Sequence, residues 1–216
     1  MNLTYCPLCD QPQAVDIPLF AQDDRREYRR CERCFLVWVP RSFHVSRARE
    51  KAEYDRHENR PDDPGYRRFL SRLSEPMMRQ IPARACGLDF GCGPGPTLSV
   101  MLEEQGHRVA LYDIFYHPDA AVLHDSYDFI TASEVLEHLH RPGDELSRLW
   151  CLLRPGGVFG AMTKRVSCQQ AFLRWHYKND PTHVCFFSAA TFTWWASAHD
   201  ARVEFPGADT ALLFKS

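Results

Sequence analysis

The chain has 216 residues, 44% hydrophobic and 25% charged, with a formal net charge of −2. That balance belongs to a soluble globular protein with length for one ordinary domain plus a small module, and it excludes a polycation. No apolar run approaches the ~18 residues needed to span a bilayer. The first residues reach Cys6 without the basic start and apolar core of a signal peptide. Nine cysteines in that setting point to reduced thiols or metal ligands, not to a disulfide framework, and a cytoplasmic location is expected.

Four of these cysteines are paired at the N-terminus. Cys6-Pro7-Leu8-Cys9 and Cys31-Glu32-Arg33-Cys34 are two C-x-x-C knuckles with 21 residues between them. Each knuckle brings two thiolates to one point, and the two together predict a four-cysteine site for Zn2+. A fully thiolate site leaves no open position for water, so the expected ion is structural and not catalytic. A thioredoxin-like redox pair and idle buried thiols are the alternatives, and neither explains two knuckles. Residues 16–20 and 27–30 are the expected strands of a zinc ribbon over 1–40. So small a segment buries no core of its own, and metal would supply its folding energy.

Residues 41–82 read as a connector, partly helical and broken by the loop signal Arg60-Pro61-Asp62-Asp63-Pro64-Gly65. Between Arg25 and Gln80 lie fourteen arginines and one lysine against nine acids. This excess reads either as mixed-charge solvated helices or as a basic surface for phosphate.

The third unit, 83–216, opens on Leu88-Asp89-Phe90-Gly91-Cys92-Gly93-Pro94-Gly95. The pattern predicts a buried strand, a tight turn and a helix N-terminus, with glycines admitting a ligand where a Cβ would clash. Pro96 is expected to open the helix, Leu98, Met101 and Leu102 to form its apolar face, and Gly106 to stop it. The dinucleotide fingerprint G-x-G-x-x-G fails, because its last position is Pro96. A second strand, Arg108 to Asp113, ends in an acid 18 residues beyond Gly95, near the spacing at which such an acid bonds ribose hydroxyls. Tyr127 to Ser133 follows as a strand, then Glu134-Val135-Leu136-Glu137-His138-Leu139, then a helix from Pro142 with Leu146, Leu149 and Leu153 on one face. Leu152-Leu153-Arg154-Pro155-Gly156-Gly157 turns into a strand over 158–163. A helix over 191–199 and strands over 203–205 and 211–215 complete the chain.

The run from Asp89 to Gly95, Asp113, the Glu134–Leu139 segment and the Leu-Leu-Arg-Pro-Gly-Gly turn, in that order, resemble class I S-adenosylmethionine (SAM) methyltransferases. The resemblance implies an α/β fold with a Rossmann-like, doubly wound sheet, mostly parallel with an antiparallel last strand. The short interval between Asp113 and Tyr127 implies a reduced third strand. The resemblance also implies a SAM site built from Asp89, Gly91, Cys92, Gly93 and Gly95, with Asp113 on the ribose and Ser133 and Glu134 at the edge. A carboxylate such as Asp89 suits the charge of a sulfonium cation with an amino-acid tail. Asp113 could instead be a surface turn acid, and Glu134, Glu137 and His138 the polar face of a short helix.

Methyl transfer from SAM depends mostly on positioning, and it needs a base only where the acceptor carries a proton. His183, in the crowded stretch Trp175 to Val184, is the first candidate for that base and His138 the second; each could equally bond backbone in a loop. Thr131-Ala132-Ser133-Glu134 stands where amino-methylating enzymes of adenine or glutamine carry D/N-P-P-Y/F. That absence leaves methylation of a small molecule or of RNA open, and the first reading is a small-molecule acceptor with the ribbon and connector as a lid over it. Methylation of ribosomal-type RNA through the ribbon and the Arg-rich connector is a second reading. A non-catalytic SAM-binding interaction protein is a third.

Overall fold

A computed structural model describes residues 3–14, 19–56 and 59–216. The expected ribbon strand over 16–20 falls mostly outside them. The N-terminal region consists of short antiparallel strands: β1 (Leu3–Tyr5) with β2 (Pro12–Ala14), then β3 (Ala21–Gln22), β4 (Glu27–Arg30) and β5 (Val37–Trp38). Cys6 and Cys9 lie in the β1–β2 turn, and Cys31 and Cys34 in the β4–β5 turn. The connector supplies α1 (Arg47–Tyr54) and α2 (Pro64–Met78). Asp63 caps α2, its Oδ1 accepting from Gly65 N at 2.7 Å and Tyr66 N at 3.2 Å, beside a proline that loses nothing at a first-turn position. Pro76, inside α2, frees the Arg72 carbonyl. The Thr210 hydroxyl donates to that carbonyl at 3.1 Å and ties the helix to the last strand.

The main sheet follows from β6 (Cys86–Phe90), α3 (Thr97–Glu103), β7 (Arg108–Tyr112), β8 (Tyr127–Ser133), α4 (Pro142–Leu152) and β9 (Leu153–Met162). After α5 (Gln169–Leu173) and β10 (Cys185–Phe186), the chain ends with α6 (Ala189–Ala198), β11 (Ala201–Glu204) and β12 (Thr210–Lys215). The six strands lie in the order β11-β12-β9-β8-β6-β7. β7, β6, β8 and β9 are parallel, and β12 runs antiparallel to both its neighbours. This is the mostly parallel, doubly wound sheet that the motif order implies. A 3-10 turn over Ala120–His124 occupies the interval of the reduced third strand. Pro96 caps α3 from outside instead of opening it, and β9 starts at Leu153, five residues before the expected strand, because Leu153 pairs with Tyr127 ahead of a register shift.

Alternate residues of each strand face opposite ways, and the core is accordingly divided in two. Phe129, Val158, Met162 and Leu212 pack against Leu70, Leu73 and Met77 of α2 and Leu98 and Leu102 of α3. Ile130, Phe159, Ala161 and Leu213 belong to the other side, with Leu149 of α4 and Trp195 of α6. Ribbon residues Leu36, Val37 and Tyr28 join this second cluster. β10 pairs antiparallel with β5, so the ribbon sheet runs β10-β5-β4-β3 and includes a strand drawn from the far end of the chain.

Candidate active site

A cavity of about 920 Å³ opens at the carboxyl ends of β6, β7 and β8, where open α/β sheets place their ligands. The glycine loop forms its floor. Gly91 has φ +75°, and a Cβ there would lie 2.4 Å from Val135 Cγ2; its N–H donates to Tyr112 O at 2.7 Å. At Gly95 a Cβ would meet the carbonyl oxygen of Asn59 at 1.8 Å, so the connector backbone seats directly on the loop. Gly91→Ala combines the clash with Val135 with a left-handed backbone costing about 1–2 kcal/mol. It is expected to lower chemical stability by at least that amount in a denaturant titration, with ligand affinity at the cavity falling about tenfold or more by calorimetry.

Asp89 lies buried at the base of the cavity and receives the Thr131 hydroxyl at 2.9 Å. Burial, with Asp113 nearby, pushes its carboxyl up to about 7, against the pull of that hydrogen bond. Asp113 is also buried and accepts three backbone hydrogen bonds: Oδ2 from Gly93 N at 3.0 Å, and Oδ1 from Phe115 N at 2.8 Å and Tyr116 N at 3.1 Å. It thus locks the glycine loop to the segment after β7 and keeps one acceptor position of about four. Cys92 and Ser133 also line the cavity.

The connector roofs the site. Tyr54, Asn59 and Tyr66 line the cavity, and no described residue of the ribbon does. The expected lid is therefore the connector alone. It is held down by Tyr116, whose hydroxyl donates to Asp55 Oδ1 at 2.7 Å, and by Arg47 over the Phe115 ring at 5.3 Å. The ribbon acts from behind, on the loop that carries His183. Arg26, itself buried, donates to the carbonyl oxygens of His183 at 3.0 Å and Asp180 at 2.9 Å, and to that of Lys178. Lys178 Nζ meets Asp23 Oδ2 at 2.5 Å.

At the far end of the cavity the structure brings His138 and His183 together, ring centroids 4.6 Å apart. His183 Nδ1 bonds Tyr177 O at 2.7 Å, and burial depresses its pKa. Glu134 follows β8 with φ +51°, an uncommon backbone for a non-glycine residue. The Tyr177 hydroxyl donates to Glu134 Oε2 at 3.3 Å and to Glu137 Oε1. Burial pushes Glu134 up to about 7 and Glu137, with Glu134 beside it, up to about 8. Sequence reading missed Tyr54, Asn59, Tyr66 and Tyr177. The signal available for the acids was the spacing Glu134-x-x-Glu137-His138.

Away from the cavity, Cys6 Sγ lies 3.5 Å from Cys34 Sγ and Cys9 Sγ 3.6 Å from Cys31 Sγ, and all four sulfurs fall within 4.8 Å of one another. A disulfide needs about 2.05 Å. Four sulfurs at ~2.3 Å from one tetrahedral ion lie about 3.8 Å apart, so this set could hold such an ion.

Residues 54–204 match the family described as "Methyltransferase domain". The chain belongs to this methyltransferase family. The match begins at the end of α1, so the family's segment includes α2 and all the cavity's lining except Arg47 and Glu50, but not the ribbon. A ubiquinone biosynthesis O-methyltransferase of Aeromonas salmonicida is 34% identical over 85 residues, covering 39% of this chain and 35% of the relative. The match thus spans about a third of that relative's length. Among solved structures, the PH0226 protein of Pyrococcus horikoshii aligns with a TM-score of 0.53 at 14% identity, over 76% of this chain and 98% of that one. Magnesium protoporphyrin IX methyltransferase from Synechocystis, solved with bound SAM, aligns with a TM-score of 0.51 at 14% identity, over 70% and 80%. These likenesses establish the Rossmann-like methyltransferase fold.

Proposed function

We propose that the protein is a SAM-dependent methyltransferase acting on a small-molecule acceptor. The observation that carries this reading is Asp89: a buried carboxylate at the base of a cavity of about 920 Å³, receiving one hydroxyl as its only hydrogen bond among the described residues. Such a group is costly to ionise until a cation lies against it, and the cavity falls in the range of small-molecule sites. SAM carries both an ammonium and a sulfonium charge, so the residues fit the group.

Asp89, the backbone of Gly91 to Gly93 and the remaining acceptor position of Asp113 would hold the cofactor. When bound, SAM supplies a methyl carbon activated by its sulfonium. The chain's own contribution is to place the acceptor and exclude water. Tyr54, Tyr66 and Asn59 close the roof, while Glu134, Tyr177, His138 and His183 form the acceptor end.

A cavity of about 920 Å³ suits a small acceptor. The connector's Lys51, Arg56, Arg60, Arg67, Arg72 and Arg79 each pair with a carboxylate, which supports the solvated-helix reading of the basic segment over a phosphate grip. The relative in ubiquinone biosynthesis adds support for a small acceptor.

We also place a structural Zn2+ on Cys6, Cys9, Cys31 and Cys34. Nine cysteines with no disulfide among the described residues fit the reducing conditions of the cytosol, which supports a cytoplasmic location. No described helix is long and apolar enough to cross a membrane.

The test is tritiated SAM incubated with the purified chain and a cell extract, then fractionated. Label in the small-molecule fraction, together with SAM binding by calorimetry, is expected. Label confined to RNA, or no SAM binding, would overturn the reading.

A further inference from the structure

We propose that Glu137, His138 and His183 form a divalent-cation site at the acceptor end of the cavity. One ligand atom from each, a carboxylate oxygen and two ring nitrogens, can be chosen so that all lie within 4.8 Å of one another. Glu137 is fully buried, and its Oε2 makes no hydrogen bond among the described residues. A buried, unpaired carboxylate oxygen is costly unless something completes it. Glu134, three residues earlier, repeats the pattern: its Oε1 is also buried and without a hydrogen bond among the described residues. Both acids share the one Tyr177 hydroxyl through their other oxygens.

The imidazole of His183 is prepared in the way metal ligands are. Its Nδ1 is fixed on the Tyr177 carbonyl at 2.7 Å, which puts the proton on Nδ1 and leaves the Nε2 lone pair free to bind. Asp180 Oδ2 stands 3.8 Å from that Nε2, too long for a hydrogen bond. The Tyr177 hydroxyl orients Glu137 in the same manner. Thr163, at 3.3 Å from that hydroxyl, continues the network outward. Arg26 and Lys178 pin the loop between Tyr177 and His183 to the ribbon, so the ligands sit on a braced segment.

A resident side-chain cation would be the rival explanation. Lys164 lines this end of the cavity, but its ammonium contacts His176 Nε2 at 3.2 Å and lies 5.2 Å from the Tyr177 ring centroid. Glu137 Oε2 is left without it.

Two imidazoles and a carboxylate select a first-row divalent ion such as Mn2+, Co2+ or Zn2+, with positions open to other ligands. His138 and His183 both line the cavity, so the open positions face it. Resting on the methyltransferase reading above, this makes the acceptor a hydroxylated small molecule whose oxygen docks on the cation. Both histidines then serve as ligands, not as the proton acceptors that sequence reasoning suggests.

The test is Mn2+ titration of the purified full chain followed by electron paramagnetic resonance. Mn2+ prefers oxygen and nitrogen ligands and leaves a thiolate site to softer ions. One Mn2+ per chain is expected, with Glu137→Gln and His183→Ala each weakening binding at least tenfold while circular dichroism stays unchanged. Co2+ added to the unaltered chain gives a check that needs no variant. It should show d–d bands without additional thiolate charge transfer once the four-cysteine site is filled.

Absence of Mn2+ uptake at millimolar concentration, or equal affinity in the variants, would overturn the proposal. SAM calorimetry separates the two readings. A chain that binds SAM but no Mn2+ loses only the cation site. One that binds Mn2+ but no SAM loses only the methyltransferase reading.

Discussion

Replacing Asp89 by Asn should abolish SAM binding while making the free protein more heat-stable above neutral pH. Both effects come from one carboxylate. Burial raises the Asp89 pKa from an ordinary 3.8 to about 7. Between those values the folded state holds a proton that the unfolded state has released. Stability contributed by this group therefore falls as pH rises, from its full value near pH 4 to its lowest above pH 7. Asn keeps the shape and removes the ionisation. At pH 8 the variant should gain up to about 4 kcal/mol, equivalent to a Tm rise of up to about 8–16 °C in a chain of this size, with little change at pH 4.

The ligand reverses the balance, because a bound cation favours the ionised form. In the unaltered chain SAM affinity should rise up to about tenfold per pH unit below pH 7 and level off above it. The Asn variant should show no such slope and at least 100-fold weaker binding, by calorimetry across pH 5 to 8. A variant that binds SAM as tightly as the parent at pH 8 would remove Asp89 from the site.

Local chemistry explains how much of this was legible beforehand. The turn from Asp89 to Gly95 is specified by residues within a few positions of one another, and the glycines' backbone needs appear directly as composition. β8 occupies Tyr127–Ser133 as its pattern predicts, and α4 opens at Pro142 with Leu146 and Leu149 buried, whereas Leu153, expected on the same helical face, is the first residue of β9. Asp113 was found by its spacing, but its engagement with Gly93, Phe115 and Tyr116 depends on a turn that spacing does not encode.

The elements that escaped are those fixed by distant partners. β10 has two residues and exists because Trp38 and Val37 lie opposite Cys185 and Phe186. Asn59 enters the site because Gly95 leaves room for its carbonyl. Tyr177 could be counted among crowded aromatics, yet its hydroxyl matters only because Glu134 and Glu137 converge on it from another segment. His138 and His183 lie on separate segments of the sequence, and the fold supplies the contact between them.

The same long-range dependence makes the ribbon the second site of large effect. Stripping the proposed Zn2+ with a strong chelator, or replacing Cys31 by Ser, should cost at least about 3–5 kcal/mol and lower Tm by about 10 °C or more. The loss is expected to exceed that of a surface module because Tyr28, Leu36 and Val37 share a core cluster with Ile130 and Phe159 of the main sheet. Short ribbon strands have few other means of holding that surface together.

The functional consequence should be uneven. Arg26 and Asp23 brace the loop carrying Tyr177 and His183, whereas the glycine loop and Asp89 rest on β6 and α3. In the population that stays folded at low temperature, turnover should therefore fall tenfold or more while SAM affinity changes by no more than about threefold. Metal analysis of the untreated chain should give one Zn2+ on the four thiolates. A metal-free chain with unaltered Tm and turnover would show that the four sulfurs converge without an ion, and that the loop is braced by its hydrogen bonds alone.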